Sequence, residues 1–200
     1  TVDDFGDIFE NLGDIFGFGG RRKGQTYQTN INISFTEAAS GIEVVLPLEN
    51  ESIKVKVPAG VDNGSVIRLR GRGGPGAAGA PDGDLLVQVS VEPHKFFKRN
   101  NMDLILEVPL LFTEAALGSS IRIPTLTKSV TLKIPSGTPS GKTFKIRGEG
   151  ITPQGRRSGD LYVKVFIIPP TNLSRSAKKH LEKFRDQFES GDSPRKYLDE

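Results

Sequence analysis

Apolar and polar residues alternate with a period of two along most of this chain. Ile31, Ile33 and Phe35 interleave with Asn30, Asn32 and Ser34, and Ile53, Val55 and Val57 interleave with Lys54 and Lys56. The same alternation returns over residues 66–70, 85–91, 104–110, 130–134, 143–147 and 161–168. Short runs of this kind, bounded by Gly and Pro, predict half-buried β-strands. The period changes near the C-terminus. Over residues 174–189, Ala177, Leu181, Phe184 and Phe188 fall at i, i+4, i+7 and i+11, a narrow apolar stripe on a helix. Ser174 or Ser176 is placed to cap its start, and Gly191 and Pro194 to close it.

The chain also repeats itself. Phe35-Thr36-Glu37-Ala38-Ala39-Ser40-Gly41 returns as Phe112-Thr113-Glu114-Ala115-Ala116-Leu117-Gly118, a shift of 77. At that shift Pro58-Ala59-Gly60 matches Pro135-Ser136-Gly137, Gly64 matches Gly141, and Arg70-Gly71 matches Arg147-Gly148. Gly83-Asp84-Leu85 matches Gly159-Asp160-Leu161 at a shift of 76, after one residue is lost from the loop. Two copies are too few for a solenoid. They predict an all-β chain of two tandem, like-folded β-sandwich domains followed by a short C-terminal helix. The expected divisions are a Gly/Phe-rich flexible segment (1–24), a first β domain (25–96), a second (97–171), and a C-terminal helix and tail (172–200).

Composition narrows the function classes. The chain has 200 residues and no cysteine, which removes disulfide frameworks, cysteine-based zinc sites and thiol catalysis. That agrees with a reducing compartment. No apolar run approaches the ~18 residues that span a bilayer. The chain opens on Thr1 with no basic-then-apolar leader, as expected of an excised fragment. A net charge of +3, from 27 basic and 24 acidic residues, marks no nucleic-acid footprint unless the cations cluster. The candidates for such a cluster are Arg21-Arg22-Lys23, Lys95, Lys98, Arg99 and Arg156-Arg157.

The chemical motifs are sparse. Gly71-Arg72-Gly73-Gly74-Pro75-Gly76 has the spacing G-x-G-x-x-G after a strand, but Gly79 and Pro81 follow where a dinucleotide site needs a helix. It reads as a mobile hairpin loop. His94 and His180 lack a second ligand at metal spacing, so neither metal nor cofactor is expected. No nucleophile elbow is present. Asp84 and Asp160, each after a glycine, read as turn caps.

Apolar surface is more informative. Ile31, Ile33, Leu46 and Leu48 recur at period two in the first domain, with Phe96 and Phe97 just beyond it among His94, Lys95, Lys98 and Arg99. Either these residues are core, or they line an apolar groove with a basic rim that takes unfolded segments, by strand addition for instance. In the N-terminal segment Phe5, Ile8, Phe9, Leu12, Ile15 and Phe16 lie on one helical face. Gly6 and Gly13 each cost about 1 kcal/mol there. Such a segment orders only when docked, on a partner or on the chain's own groove.

Together these residues resemble the DnaJ family of J-domain co-chaperones. The Gly/Phe region carries Asp7-Ile8-Phe9 and Asp14-Ile15-Phe16. The domains carry Pro58-Ala59-Gly60-Val61, Arg70-Gly71-Arg72-Gly73, Gly83-Asp84-Leu85-Leu86-Val87 and His94-Lys95-Phe96-Phe97-Lys98-Arg99. With no Cys-rich module, the chain is similar to the zinc-free subclass, which includes curved-DNA-binding proteins. The family's His-Pro-Asp tripeptide is not in it, so no ATPase stimulation is expected of the chain alone.

The resemblance implies a non-catalytic, cytoplasmic co-chaperone that binds unfolded clients and delivers them to a DnaK-type ATPase. It implies a client groove lined by Ile31, Ile33, Leu46, Leu48 and Phe97, and a homodimer formed through Leu181, Phe184 and Phe188. DNA is the alternative partner. Some relatives hold the partner's acidic tail with lysines on one strand of this groove. Here that strand reads Glu43-Val44-Val45-Leu46-Pro47, leaving Lys54, Lys56, Arg68 or Arg70 to substitute.

Overall fold

The computed structural model describes residues 22–48 and 52–188. Strand β1 (Tyr27–Ile33) leads into helix α1 (Phe35–Ser40), then the hairpin of β2 (Ile42–Pro47) and β3 (Ser52–Val57), then β4 (Val66–Leu69) and β5 (Leu85–Val91). After β6 (Phe97–Asn100) the same order recurs: β7 (Asp103–Leu111), α2 (Phe112–Leu117), β8 (Ser119–Pro124), β9 (Ser129–Ile134), β10 (Thr143–Ile146) and β11 (Leu161–Ile168). Helix α3 (Arg175–Phe188) follows. The all-β architecture with two like-folded sandwich copies and a C-terminal helix is thus the observed one. The N-terminal stripe from Phe5 to Phe16, Arg21, and the helix stop at Gly191 and Pro194 lie outside the described residues.

In the first copy β1, β5 and β4 form one sheet in that order, and β2–β3 forms a second. β1 pairs β5 in parallel, from Tyr27 opposite Leu85 to Ile33 opposite Val91. β4 pairs β5 antiparallel, and β2 pairs β3 antiparallel with Leu46 opposite Ile53. Inward residues of the two sheets meet as Ile31, Ile33, Val55, Val57, Leu85, Val87 and Val89. Burying such side chains stabilises by about 1.5–3 kcal/mol each. In the second copy the sheet order is β10-β11-β7-β6, with β8–β9 as a separate hairpin. Its buried apolar residues include Leu104, Leu106, Leu110, Ile123, Ile134, Leu161, Val163 and Val165.

The short helices show how the copies diverge. Ser34 caps α1 with a capping box: the Glu37 N–H donates to Ser34 Oγ (3.3 Å), and the Ser34 N–H donates to Glu37 Oε2 (2.7 Å). Leu111 stands at the matching position before α2. It keeps only the backbone half, its N–H donating to Glu114 Oε2 at 2.9 Å. At the start of α3, Ser174 rather than Ser176 is the cap, accepting from the Ala177 N–H at 3.1 Å.

Each copy is closed by the same glycine clasp. In the first, Gly73 N donates to Gly83 O (2.9 Å), Gly74 N to Gln25 O (2.8 Å) and Gly83 N to Gly74 O (2.8 Å). In the second, Gly150 N donates to Gly159 O (3.0 Å), Ile151 N to Met102 O (2.8 Å) and Gly159 N to Ile151 O (2.9 Å). The approach leaves no room for side chains. A Cβ on Gly83 would lie 1.9 Å from Gln25 O, and one on Gly159 would lie 1.9 Å from Met102 O. The loop read as a mobile hairpin is therefore pinned to the start of β1, and its only helical element is the 3₁₀ turn Ala77–Gly79.

The described residues divide into two compact units, one within Thr1–Leu104 and Arg147–Asp160, the other within Ile105–Ile146 and Leu161–Glu200. Both clasps belong to the first. Gly83→Ala and Gly159→Ala are each expected to lose more than ~3 kcal/mol in urea unfolding, since a backbone atom must move. Gly137→Ala, at φ 73° with open space around it, should lose only about 1–2 kcal/mol. Equal losses at Gly83 and Gly137 would show that the close approach is not the constraint.

Candidate functional site

The first copy brings four of the five expected groove residues into one apolar cluster. Ile31 and Ile33, on β1, are 5% and 3% exposed and belong to the cluster's buried centre. Leu46 on β2 and Leu48 just beyond it are half-buried and pack against that centre, as do Ile42 and Val44. The inward face of β2 thus stays partly open to water along its whole length. Its outward face shows Val45, 56% exposed, beside the Glu43–Lys54 ion pair (3.2 Å). β1 stands at the end of its sheet order, and β2 pairs only with β3 among the described strands. Among the described strands, β1 and β2 thus each have one edge without a paired strand.

Phe97 is placed elsewhere. It is 4% exposed and stacks with Phe35, ring centroids 6.5 Å apart. His94 joins them, at 5.4 Å from Phe35, 4.4 Å from Phe96 and 4.9 Å from Phe97. His94 Nδ1 accepts from the Phe96 and Phe97 N–H groups, both at 3.3 Å, which fixes the turn into β6. Phe35 also lines a separate cleft of about 390 Å³ with Ala38, Val91, Pro93, Arg99 and Ile151. The Phe-Phe motif therefore builds an aromatic cluster beside this cleft, with Phe96 partly exposed at its edge.

Several cations are committed within the fold. Arg99 donates to the carbonyls of Val61 (2.6 Å), Gly60 (2.8 Å) and Asn101 (2.6 Å), and pairs with Asp62 at 2.8 Å. Lys23 Nζ lies 2.9 Å from Asp84 Oδ2, and the Arg68 guanidinium binds the same carboxylate. Of the residues offered by sequence for phosphate contacts, Lys23 and Arg99 thus serve as internal struts. Of those offered for an acidic tail, Lys54 is on Glu43 and Arg68 on Asp84.

Asp84 does more than cap a turn. It is buried, its Oδ1 accepts from Gly71 N at 3.1 Å, and its backbone carbonyl accepts from Tyr27 N at 2.9 Å. Asp160 repeats this with Gly148 N at 2.8 Å and Leu104 N at 2.9 Å. The Lys23 ammonium, the Gly71 N–H and the Arg68 guanidinium hold the Asp84 carboxyl far below the usual carboxylate range, against the opposing effect of burial. The sequence signal for this hub was the repeated Gly-Asp-Leu. The charge partners, 61 and 16 residues away, carried none.

In the second unit, α3 presents its stripe as expected. Phe184 is 45% exposed and meets Phe112 of α2 edge-on, with centroids 5.9 Å apart. Leu181 is half-buried. The Phe188 side chain lies outside the described residues. Among the described residues no cluster of three metal-ligating groups occurs, and no helix is long and apolar enough to cross a membrane.

Fold and site together define a class: repeated β sandwiches that keep part of an apolar face open at a strand edge. Residues 27–170 match the model of the DnaJ C terminal domain, and the chain belongs to that family. The family is one of chaperones rather than enzymes, and membership assigns a co-chaperone role in client binding.

The depressed acidity of Asp84 has a consequence for stability. A carboxyl whose folded pKa lies below its unfolded value (about 3.9) contributes fully above that value and loses its contribution as pH falls below it. Asp84→Asn is therefore expected to destabilise most near pH 7. The gap from wild type should narrow as pH is lowered from about 5 towards 2. Urea midpoints across that range would check it, and a gap independent of pH would exclude the ionic role.

Proposed function

We propose that this chain is the client-binding and dimerising part of a zinc-free J-domain co-chaperone. Exposed apolar stretches of unfolded proteins dock along β2, with Leu46 and Leu48 as the accessible anchors and Ile31 and Ile33 as the floor beneath them. The observation that carries this reading is the partial exposure of Val44, Leu46 and Leu48 against a sealed core, on a strand that pairs only with β3 among the described strands. A client strand added there would satisfy its own backbone while its alternate side chains reach the leucines. Each anchor contributes on the order of 1–3 kcal/mol, so binding is weak per site and tolerant of sequence.

The remaining steps follow from the same reading. Two copies joined through Leu181, Phe184 and Phe188 present two grooves, and bivalent capture raises avidity without new contacts. The captured client then passes to a DnaK-type ATPase. Phe97 serves by bracing the chain beyond the first copy through Phe35 and His94.

Leu46→Ser with Leu48→Ser is expected to weaken binding of a permanently unfolded client at least tenfold while far-UV dichroism is unchanged. Both residues sit at the margin of the core, unlike Ile31, whose replacement would open it. Wild-type affinity in the folded double variant would remove the groove assignment. Phe184→Asp is expected to run as a monomer in light scattering, and a variant that stays dimeric would place the interface elsewhere.

A further inference from the structure

We infer that the cleft lined by Phe35 is a recognition site of its own. It takes the arginine side chain of an unfolded polypeptide that carries an aromatic residue close by. The cleft lies wholly within the first unit and shares neither Leu46 nor Leu48 with the β2 groove, so it stands or falls apart from that reading.

Three observations carry it. The first is shape. The cleft holds about 390 Å³, at the small end of the ~300–1,000 Å³ of ligand pockets. Phe35, Ala38, Val91, Pro93 and Ile151 give it an apolar lining. Such a lining suits the aliphatic stem of a long side chain whose charged head stays at the mouth. The second is charge. Asp62, Glu92 and Arg99 are the charged residues of the lining. Arg99 is already engaged by Asp62 and by the carbonyls of Gly60, Val61 and Asn101. That leaves Glu92, an exposed carboxylate with no side-chain partner among the described residues, as the unbalanced charge. A guanidinium meets a carboxylate through two parallel N–H donors, which an ammonium cannot do.

The third observation is the exposed ring beside the cleft. Phe96 is 43% exposed, and His94 links it to the lining, with ring centroids 4.4 Å from Phe96 and 5.4 Å from Phe35. Apolar surface therefore continues past the cleft. An extended polypeptide advances ~3.3 Å per residue, so two or three residues carry it from an arginine in the cleft to an aromatic side chain on Phe96. A small free cation would leave Phe96 uncovered. Lys95 and Lys98, on either side of the Phe-Phe pair, are not part of the lining.

The test uses the full chain and two blocked peptides, acetyl-Gly-Ser-Arg-Gly-Phe-Ser-Gly-amide and the same sequence with glutamine in place of arginine. Binding is followed by NMR titration. The arginine peptide is expected to bind about 3–5-fold more tightly, the range of one exposed ion pair. It should shift the signals of Glu92, Phe96 and Ile151. Its advantage should vanish at about 1 M salt, where the screening length is ~3 Å. Glu92→Gln, a near-isosteric change at an exposed position, should bind both peptides alike, and Glu92→Lys should reverse the preference. Equal affinity of the two peptides for the wild-type chain, or a preference kept in Glu92→Gln, would overturn the site. Argininamide is the third probe: if it binds as tightly as the arginine peptide, the occupant is a small cation and the polypeptide assignment falls. Leu46→Ser with Leu48→Ser is expected to leave the arginine preference intact. If that double variant abolishes it, the peptides occupy the β2 groove and the cleft is not a site.

Discussion

Backbone packed against backbone at four glycines is the constraint on which the first unit depends. Gly73 and Gly83 bring the β4–β5 loop against Gln25, and Gly150 and Gly159 bring the β10–β11 loop against Met102, at distances no Cβ tolerates. Each clasp pins the chain just ahead of the first strand of its copy. In the first copy this fixes where β1 enters its sheet and permits parallel pairing with β5 over seven residues. A carboxylate completes each closure, the buried Asp84 on Gly71 N and the half-buried Asp160 on Gly148 N.

That constraint also explains how a small sandwich keeps an open face. With β1 and β5 locked together, Ile31, Ile33, Val87 and Val89 seal against Val55 and Val57. The β2–β3 hairpin lies over them as a separate sheet, and the inward residues of β2 remain half-buried. Stability comes from the sealed part, while the exposed rim is available for exchange with a ligand. The two needs fall on different strands, so a substitution on the rim need not open the core.

The copies diverge where their surroundings differ. Ser34 and Ser40 in the first correspond to Leu111 and Leu117 in the second, 51% and 79% exposed. The second helix gives up its side-chain cap and places apolar surface beside Phe112, which meets Phe184 of α3. In the first copy a lysine and an arginine meet the clasp carboxylate. In the second, the residue matching Arg68 is Lys145, whose ammonium lies 5.4 Å from the centre of the Tyr162 ring.

Alternation and the internal repeat determined much by themselves. Most of the strands, the like-folded copies, the C-terminal helix and the family are legible, because side-chain periods and turn glycines are local properties; β6, β8 and the short helices α1 and α2 were not, and Phe35, which continues the alternation of β1, starts α1 instead. The apolar set Ile31, Ile33, Leu46 and Leu48 was legible as a set for the same reason. Which members are sealed and which stay open was not, since alternation marks a face without saying what covers it. Nor was the parallel pairing of β1 with β5, because a period of two is the same in either direction. The removal of Phe97 to the cluster with Phe35 and His94, and the commitment of Lys23, Arg68 and Arg99 as internal struts, were decided by tertiary structure alone. The contacts of Lys23 and Arg68 with Asp84, of Arg99 with Val61 and of Phe97 with Phe35 join residues 16 to 62 positions apart, and only the folded chain brings such partners within reach.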